Sequence, residues 1–494
     1  MLLVVFKFMF MLFKPKIILL LCVVSWLICP RAFAEEGTPG NFKNPIAVQE
    51  VLAGKRTVAN ATWWGFNKED STVALQAAIN SGASKVIVPY MGSEWVVQPI
   101  ELVSNQEIVF EEGVIVEAIS NRIKPNSFVI YFLKSVWHTK ENEYKRGDAL
   151  FRATCKSNII LKGYGAVLRM KKKEYMAERN TSEYRHVINL RSCRNITIKG
   201  LTLKDSGGDG IFIGRYHQYP GVKYYCENIL IKDVTCDNNL RCGIAVISVD
   251  GLIIENCVLK NTIGSWPQAG IDFEPNWEVE RLKNVIVRNT KFTNNRSLGL
   301  IISIRNLTSK SADVDMIFEN LRITDIKGRR PTAYAGIMVT HSGGDDGADG
   351  LIKFKNVTIE NMENGTRIEK SKNSPLVSFE NCVWKNIMRV SPIIIQTKKK
   401  HNMISPVRRS GGIEFINCQV FDNKNRPAIK ASGEIRRGGY GLYEIHGNLY
   451  VQNPNRIGDL YDWNGAVLHN VDITVHSGHA NTDINDIDVE DPNI

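Results

Sequence analysis

The amino-acid sequence predicts an all-β protein whose fold is a single-stranded right-handed parallel β-helix, a solenoid, with a short capping helix near the N-terminus. Short apolar strands that begin with glycine recur along the chain, at Gly210, Gly243, Gly270, Gly299 and Gly336. Their starting points are 33, 27, 29 and 37 residues apart. Self-similarity at this period is typical of repeat architectures, in which each coil stacks on the previous one.

A second strand recurs with a similar period, and its copies mostly begin with asparagine followed by an aliphatic residue. The copies are Asn158–Gly163, Asn195–Gly200, Asn228–Asp233, Gly251–Asn256 and Asn284–Asn289. No helical pattern of usable length lies between them, so we expect parallel strands without helical crossovers. Asparagine amides at the strand ends are expected to bridge to the next copy as a ladder. A β-sandwich or a propeller is the alternative, but the turns contain little of the Asn-Gly or Asp-Gly chemistry of hairpins.

Residues 1–34 predict a secretory signal peptide. Lys14 and Lys16 precede an apolar run from Ile17 to Cys29, and Ala32-Phe33-Ala34 is a small-residue cleavage pattern. An uncleaved membrane anchor is the alternative. The first interpretation predicts a secreted protein, periplasmic or extracellular, with no stable membrane insertion after cleavage.

The mature chain divides into three predicted regions. Residues 35–100 form an N-terminal lead-in and the capping helix, which we expect between Asp70 and Gly82 after an extended segment up to Phe66. Residues 101–455 form the β-helix, and 456–494 form C-terminal strands and an acidic tail. A helix over the first coil would protect the open sheet edge from aggregation.

Charge and cysteine content limit the partners and the chemistry. The formal net charge is +11, and removal of the leader leaves +7 because four basic residues and no acidic ones are lost. An acidic polysaccharide suits such a surface, and a basic surface without a partner is the alternative. We predict no nucleic-acid partner and no resident metal. Six of the eight mature cysteines lie at repeated strand positions, and none has a CxxC spacing, which favours stacked buried thiols over a disulfide framework or a zinc site.

The catalytic prediction comes from stacking the five glycine-led strands as rungs. Alternate side chains point to opposite faces of a strand, so Ile271 and Phe273 point inward and Asp272 and Glu274 share the outer face. Neighbouring rungs carry no acids there. Asp209 is two rungs away, roughly 10 Å at the usual strand spacing. We therefore predict Asp272 and Glu274 as the solvent-facing catalytic pair at mid-groove, with Asp209 assisting.

Basic and aromatic residues are predicted to surround this pair as substrate-binding groups. Arg241 lies on the intervening rung, Arg215 and His217 follow the first rung, and His341 follows the fifth. Trp266 lies in a loop that would rise beside the acidic face. Structural ion pairs, packing and solvated loops are the alternative explanations for these residues.

Two stretches resemble secreted β-helix proteins. The sequence DSTVALQAAINSGASKVIVP, followed by GVIVEA, resembles the start of pectate-lyase-like proteins, and residues 227–276 resemble a group that includes polygalacturonase-type glycosidases, polysaccharide lyases and epimerases. The resemblance covers about residues 65–425 and implies the fold rather than one reaction. Asp209 matches an Asp of the polygalacturonase motifs, but Arg241-Cys242 and Gln268-Ala269-Gly270 stand where those enzymes carry Asp-Asp and Gly-His-Gly. Asp272 and Glu274 would then form a different catalytic pair on the same fold.

Three functions follow as hypotheses. Paired carboxylates are what glycosidic hydrolysis requires, so a secreted glycoside hydrolase without a cofactor is favoured. The alternative is a lyase or epimerase acting on a uronate polymer, for which Asp209, Asp272 and Glu274 could hold Ca²⁺ through oxygen ligands. A non-catalytic carbohydrate-binding surface protein that uses the same groove is the third hypothesis. The sequence leaves the oligomeric state open.

Overall fold

The computed structural model describes residues 42–120, 149–177, 183–216, 221–325, 334–341, 345–397, 409–433 and 441–478. The predicted leader and His217 lie outside these residues. None of the helices in the described ranges is long and apolar enough to span a membrane.

Short helices precede and interrupt the strands. They are α1 (Pro45–Leu52), a 3-10 helix (Ala61–Trp64), α2 (Thr72–Ile79) and α3 (Lys172–Ala177). The capping helix is confirmed as α2, where the Thr72 backbone N–H donates to Asp70 Oδ1 at 2.9 Å. The extended lead-in is wrong, because Asn44 Oδ1 accepts from the Ala47 N–H at 3.0 Å and starts α1.

The strands of the described residues form two long sheets, and every strand-to-strand ladder in them is parallel. The first sheet has 19 strands and folds around a corner, since β10 (Arg194–Lys204) pairs with β12 (Cys226–Lys232) through its first half and with β13 (Thr235–Asp237) through its second half. Its strands are β1 (Val58–Asn60), β2 (Lys85–Val88), β3 (Trp95–Val97), β5 (Gln106–Phe110), β6 (Ile115–Ala118), β8 (Ser157–Arg169), β10 (Arg194–Lys204), β12 (Cys226–Lys232), β13 (Thr235–Asp237), β15 (Val249–Glu255), β16 (Val258–Lys260), β18 (Leu282–Thr293), β20 (Val314–Thr324), β22 (Gly350–Glu360), β24 (Leu376–Glu380), β25 (Val383–Lys385), β27 (Arg409–Phe421), β29 (Gly441–Gln452) and β31 (Val467–Ser477).

The second sheet has 12 strands within the described residues and carries the glycine-led rungs. Its strands are β4 (Ile100–Glu101), β7 (Phe151–Thr154), β9 (Ile188–Arg191), β11 (Ile211–Gly214), β14 (Cys242–Val246), β17 (Ala269–Phe273), β19 (Leu298–Ser303), β21 (Ala335–Thr340), β23 (Thr366–Glu369), β26 (Ile393–Thr397), β28 (Ile429–Gly433) and β30 (Tyr461–Asp462). The chain alternates between the sheets coil by coil, and the architecture is the predicted right-handed parallel β-helix.

The predicted stacking of the five rungs is confirmed. Ile211, Ile244, Ile271, Leu300 and Ile337 are consecutive register partners. All five are fully buried and belong to the main apolar core. The leading glycines are required by close backbone approach, because a Cβ at Gly243 would lie 2.7 Å from the carbonyl oxygen of Gly270. The recurrence of glycine is therefore a consequence of how tightly one coil turns over the next.

The asparagine ladder is also confirmed, and the backbone gives it a second cause. Asn195 Nδ2 donates to Asn158 Oδ1 at 2.9 Å, and Asn228 Nδ2 donates to Asn195 Oδ1 at 3.1 Å. These three residues have φ values of 58°, 55° and 54°, in the left-handed region. Asparagine tolerates this conformation better than other non-glycine residues, so it both turns the corner and links the coils.

The eight described cysteines are free thiols. Seven are buried, as predicted, but Cys155 is exposed. Phenylalanines continue the interior stack towards the C-terminus, with ring centroids 4.8 Å apart between Phe318 and Phe354 and 4.9 Å between Phe354 and Phe379. The interior is thus filled by repeated columns of like side chains, without a disulfide in the described residues.

A candidate active-site cleft

Three successive turns place polar side chains at the start of second-sheet rungs. His186 and Asp209 lie two residues before β9 and β11, and Arg241 lies directly before β14. The parallel register puts Ile188 beside Ile211 and Ile211 beside Ile244, so the three turns stack on one another. The Arg241 backbone N–H donates to the Gly208 carbonyl oxygen at 2.9 Å and fixes this stacking.

The guanidinium of Arg241 collects the three predicted catalytic acids. Its Nη2 lies 3.0 Å from Asp272 Oδ2 and 2.9 Å from Glu274 Oε2, and its Nη1 lies 3.6 Å from Asp209 Oδ1. Glu183 Oε2 lies 4.0 Å from its Nε, and Arg305 adds a contact to Glu274 Oε1 at 3.4 Å. Burial opposes the charge of Arg241, but the Cys242 thiol and the three acids together raise its pKa above the ordinary value. Arg241 is therefore a permanent cation between the acids.

The predicted solvent-facing position of the acidic pair is wrong for Asp272. Asp272 and Glu274 do share the outer face, but Asp272 is 2% exposed and the Glu274 side chain 24%. The reason is the outer column itself, since the register neighbours of Asp272 are Ala245 and Ile301. Both belong to a second apolar cluster that covers the outer face of the sheet, formed by Cys242, Ala245, Ala269, Leu298, Ile301 and Ala335.

Burial gives Asp272 an unusual protonation equilibrium. It raises the pKa of Asp272 to about 7, with Arg241 acting against the rise and Glu274 and Asp209 adding to it. Asp272 Oδ1 is buried and has no hydrogen-bond partner among the described residues. The carboxyl therefore favours its protonated form more than an ordinary aspartate does, and it keeps one oxygen that no described group satisfies.

His186 belongs to this cluster, although the sequence did not point to it. Its ring is 2% exposed and stacks on Phe212 at a centroid distance of 4.8 Å. Nδ1 accepts the Asp209 backbone N–H at 3.1 Å, and Asp209 Oδ2 lies 3.1 Å from the same nitrogen. Val187, not glycine, starts this rung, so a search for glycine-led strands passes over it. The signal was the apolar strand Val187–Leu190 one coil before Gly210.

A second unit of the cleft is built around Arg215. Its Nε lies 2.7 Å from Oε1 of Glu280, which is 1% exposed. The guanidinium lies over the rings of Trp277 and Tyr224, 5.2 Å and 5.6 Å from their centroids. Glu280 Oε2 also accepts the backbone N–H groups of Asn276 and Trp277, at 2.5 Å and 3.0 Å. Glu280 thus fixes both the arginine and the tryptophan turn, and nothing in the local sequence pattern singled out either Glu280 or Trp277.

The two units share one cleft of about 330 Å³. Its lining residues are Glu183, Tyr184, His186, Arg191, Asp209, Phe212, Arg215, Arg241, Ile247, Glu274, Asn276, Trp277 and Glu280. The cleft therefore has an acidic end around Arg241 and a cationic, aromatic end around Arg215.

The predicted site residues fall into three groups. Asp209, Glu274, Arg241 and Arg215 line the cleft, and Asp272 joins it through Arg241. His341 does not join them, because it is fully buried and its Nε2 lies 3.4 Å from the Leu307 carbonyl oxygen. Trp266 is 58% exposed but does not line the cleft, and His217 lies outside the described residues.

The acids do not fit a calcium ion in this arrangement. The Arg241 guanidinium takes the central position to which Asp209, Asp272 and Glu274 converge, and a second cation there would be repelled. Across the described ranges, no group of three or more His, Cys, Asp or Glu side chains is placed to hold a metal ion.

Comparisons with known proteins agree with the fold. The family description "Right handed beta helix region" matches residues 220–405. A curated relative, the SPbeta prophage-derived uncharacterized protein YorA of Bacillus subtilis, is 25% identical over 163 residues, which is 31% of this chain. The matched part spans only 27% of the length of that relative.

Two solved structures share the architecture over most of the chain. The family 28 exopolygalacturonase of Yersinia enterocolitica is 13% identical and superposes with a TM-score of 0.53, covering 86% of this chain and 79% of that one. The A-module of mannuronan C-5 epimerase AlgE6 of Azotobacter vinelandii is 13% identical with a TM-score of 0.55, covering 85% and 99%. With the residue pattern and the coil geometry, these matches show that the chain has the right-handed parallel β-helix fold, which it shares with an exopolygalacturonase and a mannuronan epimerase module.

Proposed function

We propose that this protein is a glycoside hydrolase that cleaves a polysaccharide in the cleft between the Arg241 and Arg215 units. The observation that carries the proposal is a pair of carboxyl groups with different environments. Asp272 is buried with a pKa of about 7, and Glu274 is partly exposed and contacts two arginines. Two carboxyl groups whose environments differ in this way are what acid and base roles require.

Asp272 is the proton donor in this mechanism. Its protonated form transfers a proton to the glycosidic oxygen as the bond between that oxygen and the anomeric carbon breaks. The unpartnered Oδ1 is the atom that would carry the proton, since Oδ2 already accepts from Arg241. Arg241 then stabilises the aspartate that remains after the transfer.

Glu274 is the second carboxylate, and the geometry favours its use as a nucleophile. Asp272 Oδ2 and Glu274 Oε2 both lie within 3.0 Å of Arg241 Nη2, so these oxygens cannot be farther apart than twice that distance. Inverting glycosidases separate their carboxyl groups by roughly 6.5–9.5 Å to admit a water molecule, and retaining enzymes by about 5–5.5 Å. Glu274 would form the bond to the anomeric carbon, and water would then release the sugar with net retention.

The rest of the cleft suits a glycan, and an anionic one in particular. Trp277 is 59% exposed beside Arg215 and offers an aromatic surface to a sugar ring. Arg191, Arg215 and Arg241 line the cleft beside Glu183, Asp209, Glu274 and Glu280, so the arginines are the groups that would meet the carboxylates of an acidic chain. The two structural neighbours are named for galacturonan and mannuronan chemistry, which supports a polysaccharide as the substrate class.

We infer that the protein acts outside the cytoplasm. The support is the leader predicted from residues 1–34 together with a polysaccharide as substrate.

Incubation of the purified protein with a panel of neutral and uronate polysaccharides tests the proposal. The expected result is new reducing ends without the ultraviolet absorbance of an unsaturated product. Absorbance in step with chain cleavage would show a lyase instead. Inversion at the uronate C5 without cleavage would show an epimerase, and binding without any turnover would show a carbohydrate-binding protein.

A further inference from the structure

His186 is a buried side chain with one end satisfied and the other open. Nδ1 accepts the Asp209 backbone N–H at 3.1 Å. Nε2 is buried and has no hydrogen-bond partner in the described part of the chain. The ring lines the cleft, and Nε2 is its one nitrogen that no described group satisfies.

The position of the ring proton follows from the backbone. The amide hydrogen of Asp209 cannot leave its nitrogen, so Nδ1 must be unprotonated to accept it, and the neutral ring carries its proton on Nε2. If the ring is protonated, Nδ1–H faces Asp209 Oδ2 at 3.1 Å and Nε2 still carries its own proton. As long as Nδ1 accepts the Asp209 N–H, Nε2 carries the proton of the neutral ring, and in the protonated ring it carries one as well.

The ring cannot turn to find a partner elsewhere. It stacks on Phe212 with an interplanar angle of 23°, and Tyr184 meets it edge-on at 6.4 Å. Gly208 packs against Nδ1, since a Cβ at that position would lie 3.0 Å from it. A fixed, buried and unpaired donor is costly in a folded protein unless another molecule supplies the acceptor.

We propose that His186 is a substrate-binding residue whose Nε2–H donates a hydrogen bond to a hydroxyl or carboxylate oxygen of the sugar bound beside Asp209 and Arg241. This inference rests on the proposed function only in taking the cleft as the glycan site. It assigns to His186 the orientation of that sugar, a role separate from the proton transfer and bond formation of Asp272 and Glu274.

Two substitutions separate the two ends of the ring. His186→Asn keeps an oxygen where Nδ1 accepts the Asp209 N–H but removes the donor, and His186→Gln can place an amide N–H near Nε2. His446→Asn on β29 is the matched control, because His446 lies on the first sheet outside the cleft. The probes are trigalacturonate and trimannuronate, and calorimetry gives their dissociation constants.

We expect His186→Asn to weaken binding of at least one trisaccharide roughly 3- to 10-fold, the usual effect of one lost hydrogen bond. His186→Gln should recover most of the loss, and His446→Asn should bind like the unaltered protein. Long-range ¹⁵N spectra of histidine-labelled protein should show the Nε2–H tautomer of His186, with a shift when the trisaccharide is added.

Unchanged binding by His186→Asn, an Nδ1–H tautomer, or failure of the unaltered protein to bind either trisaccharide would overturn the inference. Binding that depends on His186 without any hydrolysis would leave it standing and refute the proposed function alone.

Discussion

Two buried cations lie beside second-sheet strands of the same solenoid, and their surroundings differ completely. Arg241, just before β14, is surrounded by Asp209, Asp272 and Glu274. Lys370, just after β23, is 1% exposed and donates to the backbone carbonyl oxygens of Gly411 and Gly412. Burial lowers the pKa of Lys370 to about 7, with Glu444 opposing the change, whereas the acids around Arg241 outweigh the burial of that group.

The difference shows how the same fold uses one buried basic residue for structure and another for chemistry. Lys370 replaces water for two backbone carbonyl groups of β27, which requires a donor but no permanent charge. Arg241 organises several acids around one charge at the wall of a cleft, where burial can separate their pKa values. Burial of a charged residue is common to both, so the partners and the adjacent cleft distinguish the candidate active site.

The largest expected effect is on activity. Asp272→Asn removes the proton donor, and we expect the rate of glycan hydrolysis to fall about 10²- to 10⁴-fold. Lys370→Met should leave the rate of the folded protein unchanged, because Lys370 is remote from the cleft lining. Initial rates at matched concentrations of folded protein check both, and comparable losses in the two variants would erase the distinction between the cations.

The loss of stability on substitution should also be larger for Arg241 than for Lys370. Arg241→Met leaves two fully buried carboxyl groups without their cation, and we expect a loss of about 3–5 kcal/mol in the free energy of unfolding. Lys370→Met leaves only carbonyl oxygens unpaired, so its loss at pH 7 should stay below about 2 kcal/mol. Guanidinium denaturation followed by circular dichroism measures both, and a Lys370→Met loss as large as that of Arg241→Met would contradict the comparison.

The pH dependence of stability should have opposite signs for the two clusters. The folded state raises the pKa of Asp272 from 3.8 to about 7, so the folded protein holds this proton more tightly and stability falls as pH rises between those values. The folded state lowers the pKa of Lys370 from 10.5 to about 7, so stability rises with pH across that higher window. Each unit of pKa difference corresponds to about 1.4 kcal/mol.

Denaturation midpoints measured from pH 4 to pH 10 test these signs. In a plot of stability against pH, Asp272→Asn should remove only the fall towards pH 7, which is the acidic limb. Lys370→Met should remove only the rise above pH 7, which is the alkaline limb. A limb that persists in the matching variant would show that another group is responsible for it.

The smallest predicted effect compares two tryptophans of nearly equal exposure. Trp277, at 59%, lines the cleft beside Arg215, and Trp266, at 58%, does not line it. Trp277→Ala should raise KM roughly 3- to 10-fold through loss of aromatic contact, and Trp266→Ala should leave KM unchanged. The opposite pattern would show that Trp266, the residue that the sequence favoured, is the tryptophan that binds the substrate.

These contrasts also show what the sequence could and could not predict. The glycine-led rungs fixed the register, because close approach between coils permits only glycine at Gly210 or Gly243. The same register brought Asp272 and Glu274 onto one face. It could not reveal that Ala245 and Ile301 belong to a second apolar layer, since a small or aliphatic residue on an outer column is also compatible with exposure.

The site residues that lie in turns were harder to predict from the sequence than those on strands. His186 lies before a regular strand, and Glu280 lies between two of them. Strand periodicity gives no information there about the direction in which a side chain points. Arg241 was predicted as a substrate-binding group on the intervening rung, but its simultaneous contact with three acids depends on the path of a turn. Regular stacking is encoded in repeated residue types, whereas convergence of side chains from different turns is not.

The most direct test of the central claim is the rate at which reducing ends appear with Glu274→Gln, set beside Glu319→Gln on the outer face of the first sheet as the matched control. Glu274→Gln should lose hydrolysis by about 10²-fold or more while remaining folded, and Glu319→Gln should hydrolyse like the unaltered protein. A Glu274→Gln variant that is folded and as fast as the control would contradict the assignment of the Arg241 cluster as the catalytic centre.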